Sequence, residues 1–385
     1  MKFLHLGDLH LGRTLGEYDL EEDQQYILNQ ILEIAEREKA DAVIIAGDVY
    51  DKAIPSEAAV RMLNGFLKEL AARKTRVFLI SGNHDSDERL NFGSSLFEAN
   101  GIYISAVFDG TLHRHVIRDE YGEVDVYLLP FVKASRVRHY YPDEEITSYE
   151  DAVRVIIRQA GIDTDRRCIL AAHQFVAGKG GDPVPGGSEG LSVHSVGLVE
   201  KIGYDCFDGF DYAALGHIHS PQQVGRAQVR YCGSPLKYSL SEADNSKSVP
   251  VVELGPKGTV QIDLVPLVPL RDLRHIRGPV RKLLDPQNLT DTEDYIYATL
   301  TDEEMLTDVM GLFRQEYPRT VKIDYDNSRT RQLEQVETEG TLPERSFPEL
   351  ISDFDELVYG CEISEEEMRV MRQEAGKAGV MYEAD

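Results

Sequence analysis

The sequence predicts an α/β protein: a mixed two-sheet sandwich flanked by helices, then a small α/β cap domain and a C-terminal helical tail. Three observations predict it. Strand and helix patterns alternate through the first hundred residues, which implies parallel strands joined by right-handed crossovers. The middle third turns to short strands divided by turn residues, and this suits a sandwich better than a simple doubly wound sheet. Near residue 265 the strand-rich pattern ends, and a short strand–helix–strand unit takes over.

Taken in order, "KFLHLGD" is the first strand. "DLEEDQQYILNQILEIAERE" is a helix, because Ile27, Ile31 and Ile34 recur at i, i+4 and i+7 on one stripe. "DAVIIAGD" is a strand, and "SEAAVRMLNGFLKELAAR" a helix that Ser56 can cap. "RVFLISG" is the third strand. "TLHRHVIRDEYGEVDVYLLPF" predicts a hairpin turning at Tyr121-Gly122. "RCILAAHQF", "DYAALGHIH", "AQVRYCGS" and "SVPVVELGPKGTVQIDLV" supply further short strands. Residues 178–190, "GKGGDPVPGGSEG", hold no core-forming content and read as a loop. Later, "DYIYATLT" and "TVKIDYD" are strands, and Thr301 with Glu304 makes a capping box that predicts a helix start between them. The chain divides into residues 1–265, 266–335 (the cap) and 336–385 (a polar linker and helical tail).

Hydrophobic residues make up 42% of the chain, enough for a real core. No apolar run approaches the roughly 18 residues of a membrane span. The opening "MKFLHLGDLH" runs straight into a strand, without the features of a signal peptide. Cys168, Cys206, Cys232 and Cys361 lie far apart and form no C-x-x-C, so a reducing cytoplasm is expected. The net charge of −26 counts against nucleic acid as a partner, unless bound cations or a local basic patch dominate the site.

Polar residues recur where strands end. The first strand delivers Asp8 and His10, the second Asp48 and Asp51, and the third Asn83, His84 and Asp85; later strands end at His173 and at His217 and His219. Ligands in open α/β sheets sit at the carboxyl ends of strands, so five strand ends point Asp, Asn and His toward one region. Any one of these motifs alone reads as a turn or a core histidine; the ordered set does not. The donors include no thiolate, and mixed imidazole and carboxylate oxygen suits Mn, Fe or Zn. They exceed the needs of one tetrahedral ion and suit two ions sharing a carboxylate, about 3.5–4 Å apart, the arrangement that clamps a phosphoryl group.

The series Gly7-Asp8-Leu9-His10, Gly47-Asp48-Val49-Tyr50-Asp51, Gly82-Asn83-His84-Asp85, His173 and Gly216-His217-Ile218-His219 resembles the pattern of the calcineurin-like metallophosphoesterases. Within them, "FLHLGDLHLGR", "GDVYDKAIPS" and "YCGSPLKYS" resemble the SbcD-type nuclease subunits of bacterial SbcCD complexes. The likeness is strong to about residue 240 and looser beyond. It implies the metallophosphoesterase fold and a Mn-dependent DNA exonuclease and endonuclease acting on DNA ends or hairpins in repair and recombination. It also implies a homodimer and an SbcC-type ATPase partner. By the resemblance, Asp8, His10, Asp48 and His219 hold one ion, and Asp48, Asn83, His173 and His217 the other. His84 stands beside the metals and stabilises or protonates the leaving oxygen. Asp51, where archaeal and eukaryotic relatives often carry histidine, orients a neighbour. Protein phosphatases of the superfamily usually continue the second motif with arginine; Lys52-Ala53 here counts against that branch. The alternatives are a small-molecule phosphodiesterase or phosphatase of the same superfamily, and a scaffold with a vestigial site.

For the substrate, "RDLRHIRGPVRK" offers Arg271, Arg274 and Arg277 as a phosphate-tracking strip, and Lys237 with Tyr238 offers a cation and a stacking ring. In the tail, Phe347, Leu350, Ile351, Phe354, Leu357 and Val358 form one apolar stripe. Ser364 with Glu367 is a capping box, and Ile363 with Met368 a hydrophobic staple. Short helices like these need a surface to dock on, and residues 341–385 are expected to bind the ATPase.

Overall fold

The computed structural model describes residues 1–178, 181–184, 201–304, 306–328, 330, 352, 363–364 and 367–371. The chain forms two compact units, Met1–Thr299 with Leu306–Asp324, and Leu300–Met305 with Tyr325–Asp385.

The first unit is built on two six-stranded sheets. One runs Val260–Pro266, Ser248–Leu254, Lys2–Leu6, Ala42–Ala46, Arg76–Ile80, Ile102–Ser105, and the other Gln222–Val224, Arg226–Tyr231, Tyr212–Gly216, Arg167–His173, Gly122–Leu129, His113–Asp119. Each is mixed. Lys2–Leu6 pairs parallel with Ala42–Ala46 and antiparallel with Ser248–Leu254.

Period-two alternation builds the layers. Ile44, Phe78 and Ile80 share one buried cluster with Val126, Ile169, Ala171 and Ala214, which is the core between the sheets. Their strand neighbours Val43, Ile45, Val77 and Leu79 join the cluster containing Ile27, Ile31, Leu63 and Phe66 of the helices Glu21–Arg37 and Glu57–Ala72. Leu170, Ala172 and Leu215 face the other way, into a cluster with Val153 and Ile156 of the helix Tyr149–Gln159. The central strands of each sheet, Ala42–Ala46 and Arg167–His173 among them, are thus buried on both faces, as their unbroken apolar runs require.

Ser56 caps its helix as expected, accepting from the Ala59 amide at 3.2 Å. The hairpin turns one residue earlier than its sequence implies: Asp119 pairs with Gly122, leaving Glu120 and Tyr121 at the tip. A three-stranded sheet, Leu273–Gly278, Tyr295–Leu300 and Thr320–Tyr325, holds the expected later strands. The helix expected at Thr301 starts instead at Val309. Asp308 takes the cap position and accepts from the Gly311 amide, which lets the following turn bury Phe313 completely.

In the second unit Ser364 and Glu367 form the capping box reciprocally. The Ser364 amide donates to Glu367 Oε2 at 3.1 Å, and the Glu367 amide to Ser364 Oγ at 3.3 Å. The tail residues Phe347, Leu350, Ile351, Phe354, Leu357 and Val358, and most of the Gly/Pro loop at 178–190, lie outside the described residues.

Candidate metal centre

The donors named from the motifs come together at the carboxyl ends of both sheets. Asp8 and His10 follow Lys2–Leu6, Asp48 follows Ala42–Ala46, and Asn83 follows Arg76–Ile80; His173 closes Arg167–His173, and His217 and His219 follow Tyr212–Gly216. His10 Nε2 faces His219 Nε2 at 3.1 Å. Asn83 Oδ1 lies 3.1 Å from His173 Nε2 and 3.0 Å from His217 Nδ1. Between these groups sits Asp48, whose Oδ2 is 3.6 Å from His10 Nε2 and 3.3 Å from His173 Nε2. Asp8, His10 and His219 offer close-set ligand atoms, and so do Asp8, Asp48 and His173.

Several chain features make this approach possible. Asp8, His10, Asp48 and His217 all take left-handed φ, 52°, 42°, 48° and 102°, a conformation that costs about 1–3 kcal/mol each away from glycine. The glycines of the motifs supply space more than turns. A Cβ on Gly82 would meet Asp48 Oδ1 at 2.1 Å, and one on Gly216 would meet the Ala46 carbonyl oxygen at 2.0 Å.

The donor chemistry fits divalent cations. Asp8, His10, Asp48, His173, His217 and His219 are buried, while Asn83 is exposed and His84 half-buried, so the site opens along that edge. Burial pushes the Asp8 carboxyl up to about 6 and the His217 imidazole down to about 3, and depresses His10 well below its ordinary value. Burial alone would depress His173 too, but the Asp48 carboxylate and its hydrogen bond raise it to about 9. Like-natured imidazole nitrogens and carboxylates held face to face in a dry cluster are a poor arrangement in isolation and a good one around a cation.

Partners behind the donors fix their orientation. The His173 Nδ1–H donates to the Ala46 carbonyl at 2.7 Å, which leaves Nε2 as the ligand atom. Asp8 accepts the His217 amide at 2.9 Å, and Asp48 Oδ1 accepts the His84 amide at 2.9 Å. Asp85 accepts from the amides of Gly82, Val49 and Tyr50, tying the second motif to the third. His84 Nδ1 meets the Asp51 carbonyl at 3.1 Å, so the proton sits there and Nε2 is free. Arg13 Nη1 donates to Asp51 Oδ1 at 2.7 Å, and Asp51 Oδ1 lies 3.7 Å from His10 Nδ1, a buried atom with no hydrogen bond.

The DNA-contact residues expected from sequence are mostly committed elsewhere. Tyr238 is 3% exposed and donates to the Leu9 carbonyl at 2.6 Å, so its ring offers no stacking face. Lys237 Nζ is held by the carbonyls of Ala243 and Leu273 and by Asp272. Arg271 pairs with Asp23 and Glu22, and Arg274 with Asp294 at 2.7 Å. Arg277 is exposed. Hydrogen bonds from loop residues to distant carbonyls leave no mark on local sequence, and such a loop reads as surface. Glu242 and Lys247, which stand behind His219, escape sequence reasoning for the same reason; only their isolation in a serine-rich stretch hints at them.

The calcineurin-like phosphoesterase family model matches residues 1–221. The chain belongs to that family. A second model, described as the type 5 capsule protein repressor C-terminal domain, matches residues 269–359. Within the family the chain falls with the SbcD proteins: it is 34% identical over 329 residues to the SbcD subunit of the SbcCD nuclease from Staphylococcus epidermidis, covering 84% of this chain and 85% of that one. Among solved structures, a dimetal phosphatase from Danio rerio matches 70% of this chain and 96% of its own, with 12% identity and a TM-score of 0.38. A β-glucosidase from Micrococcus antarcticus matches 84% and 83%, with 11% identity and a TM-score of 0.21. Among the described residues, no helix is long and apolar enough to cross a membrane.

Proposed function

We propose that this chain is the nuclease subunit of an SbcCD-type complex, a two-metal enzyme that hydrolyses DNA phosphodiester bonds. The observation that carries the reading is the convergence of Asp8, His10, Asp48, Asn83, His173, His217 and His219 from both sheets, with Asp48 between the two groups. Asp8, His10, Asp48 and His219 would hold one ion and Asp48, Asn83, His173 and His217 the other. The ions, manganese by family resemblance, would supply a water of lowered pKa and neutralise phosphate charge.

The chain's own residues do the rest. The exposed Asn83 edge admits the phosphodiester. His84, half-buried beside Asn83 and with Nδ1–H held by the Asp51 carbonyl, keeps Nε2 for the substrate, where in its protonated form it would give a proton to the leaving oxygen. Arg13 holds the Asp51 carboxylate and thereby keeps the segment that orients His84 in place.

The name of the Staphylococcus relative implies an SbcC partner, and residues 341–385 are the segment we assign to it. A homodimer is supported by the apolar Val60, Phe92 and Phe97, which line one exposed groove. A cytoplasmic location follows from this assignment. The test is cleavage of linear duplex and hairpin DNA by the purified chain against hydrolysis of nucleotide monoesters. DNA cleavage that stops with chelator and returns with Mn²⁺ is expected. Monoester hydrolysis without DNA cleavage would instead make the chain a small-molecule phosphoesterase, a reading its acidity favours.

A further inference from the structure

The segment after Arg226–Tyr231 hides an ion pair directly behind one candidate ligand. Glu242 is fully buried and Lys247 is 7% exposed. Glu242 Oε1 lies 3.4 Å from His219 Nδ1, and Glu242 Oε2 accepts from Lys247 Nζ at 2.5 Å. Lys247 also donates to the His219 carbonyl and to Ser234 Oγ, each at 2.9 Å, so every proton of its ammonium has an acceptor. His219 is therefore gripped at both ends, its ring by Glu242 and its main chain by Lys247.

A buried ion pair is a poor stability device, because the cost of desolvating both charges often cancels their attraction and an apolar pair does as well. Its placement explains it better. A histidine ligand whose distal N–H meets a carboxylate has its tautomer fixed and its basicity raised. We propose that Glu242 and Lys247 are positioning residues for His219: Glu242 takes the Nδ1–H hydrogen bond and leaves Nε2 bare toward His10 and Asp8, while Lys247 locks Glu242 and the His219 carbonyl in register. The inference rests on the two-metal reading of the site.

The experiment is calorimetric titration of Mn²⁺ into the metal-free full chain, with the ¹⁵N shifts of the His219 ring recorded in parallel. Wild type is expected to bind two ions and to carry the His219 proton on Nδ1. Failure of wild type to bind two ions sinks the site reading itself. In Glu242→Leu/Lys247→Met, which exchanges the pair for apolar side chains, one ion is expected to bind about 10–100-fold more weakly. The other should be unchanged, and the His219 proton should redistribute to Nε2. If that variant does not fold, Glu242→Gln is read by the same two measurements, with a loss of about 10-fold at one ion expected. Two ions bound as in wild type, equal weakening of both, or an unmoved His219 tautomer would each overturn the proposal.

Discussion

The two halves of the metal centre are supported by different materials. Around Asp8, His10 and His219 the backing is side chain: Glu242 and Lys247 behind His219, and Asp51 with Arg13 beside His10. Around Asn83, His173 and His217 it is mostly main chain: the Ala46 carbonyl holds His173, and Gly82 and Gly216 leave the space their neighbours need. The first half can be loosened by changing a residue that never touches an ion. The second offers fewer such handles, chiefly Asp85, whose carboxylate holds the Gly82, Val49 and Tyr50 amides.

The most severe break is Asp48→Asn, which weakens the carboxylate proposed to serve both ions and lying close to both His10 and His173. Loss of both ions and of all cleavage is expected, read as metal stoichiometry after desalting. Two ions still tightly held would show that the halves are not joined there. Next in size, His84→Gln should lower cleavage about 10²–10⁴-fold while both halves stay loaded. If bound metal falls with the rate, His84 belongs to the ligands, as its closeness to His10 and Asp51 would allow.

Gly216→Ala tests the main-chain half. The new methyl would press on the Ala46 carbonyl and His173 Nδ1, and a cost of about 1–3 kcal/mol is expected. Weaker binding of one ion should accompany it, whereas an unchanged melting temperature would show that the backbone there yields freely. The smallest effect is expected from Arg271→Gln, Arg274→Gln and Arg277→Gln combined, which touch neither half. Each true phosphate contact contributes about 0.9 to the salt slope of duplex binding. Arg271 and Arg274 are already ion-paired, so a change of no more than about one contact is expected in a salt titration.

The layers and the seven donors are legible in the sequence because both are written locally. Strand periodicity marks the buried faces, and each ligand sits at a strand end, with Asp8, Asp48, Asn83 and His217 directly after a glycine. What cannot be read there is whatever depends on partners far along the chain. Tyr238 and Lys237 have the composition of a surface loop, and their burial comes from carbonyls on other elements, Leu9 among them. Glu242 meets His219 across 23 residues, and Arg13 meets Asp51 across 38. The false helix start at Thr301 has a different cause. Two capping signals lie seven residues apart, and the later one, Asp308, wins because it brings Phe313 into the core.

One consequence of the donors' division between sheets is thermodynamic. Asp8, His10, Asp48 and Asn83 come from one layer, His173, His217 and His219 from the other, and the unfolded chain assembles no such set. A cation bound there joins the folding equilibrium by mass action, adding about 2.7 kcal/mol per site when its free concentration is a hundred times Kd. The sandwich then has no single melting temperature of its own. Its resistance to heat and proteases tracks the free divalent metal around it, and an apoprotein left to wait for its ions is the form most exposed to degradation.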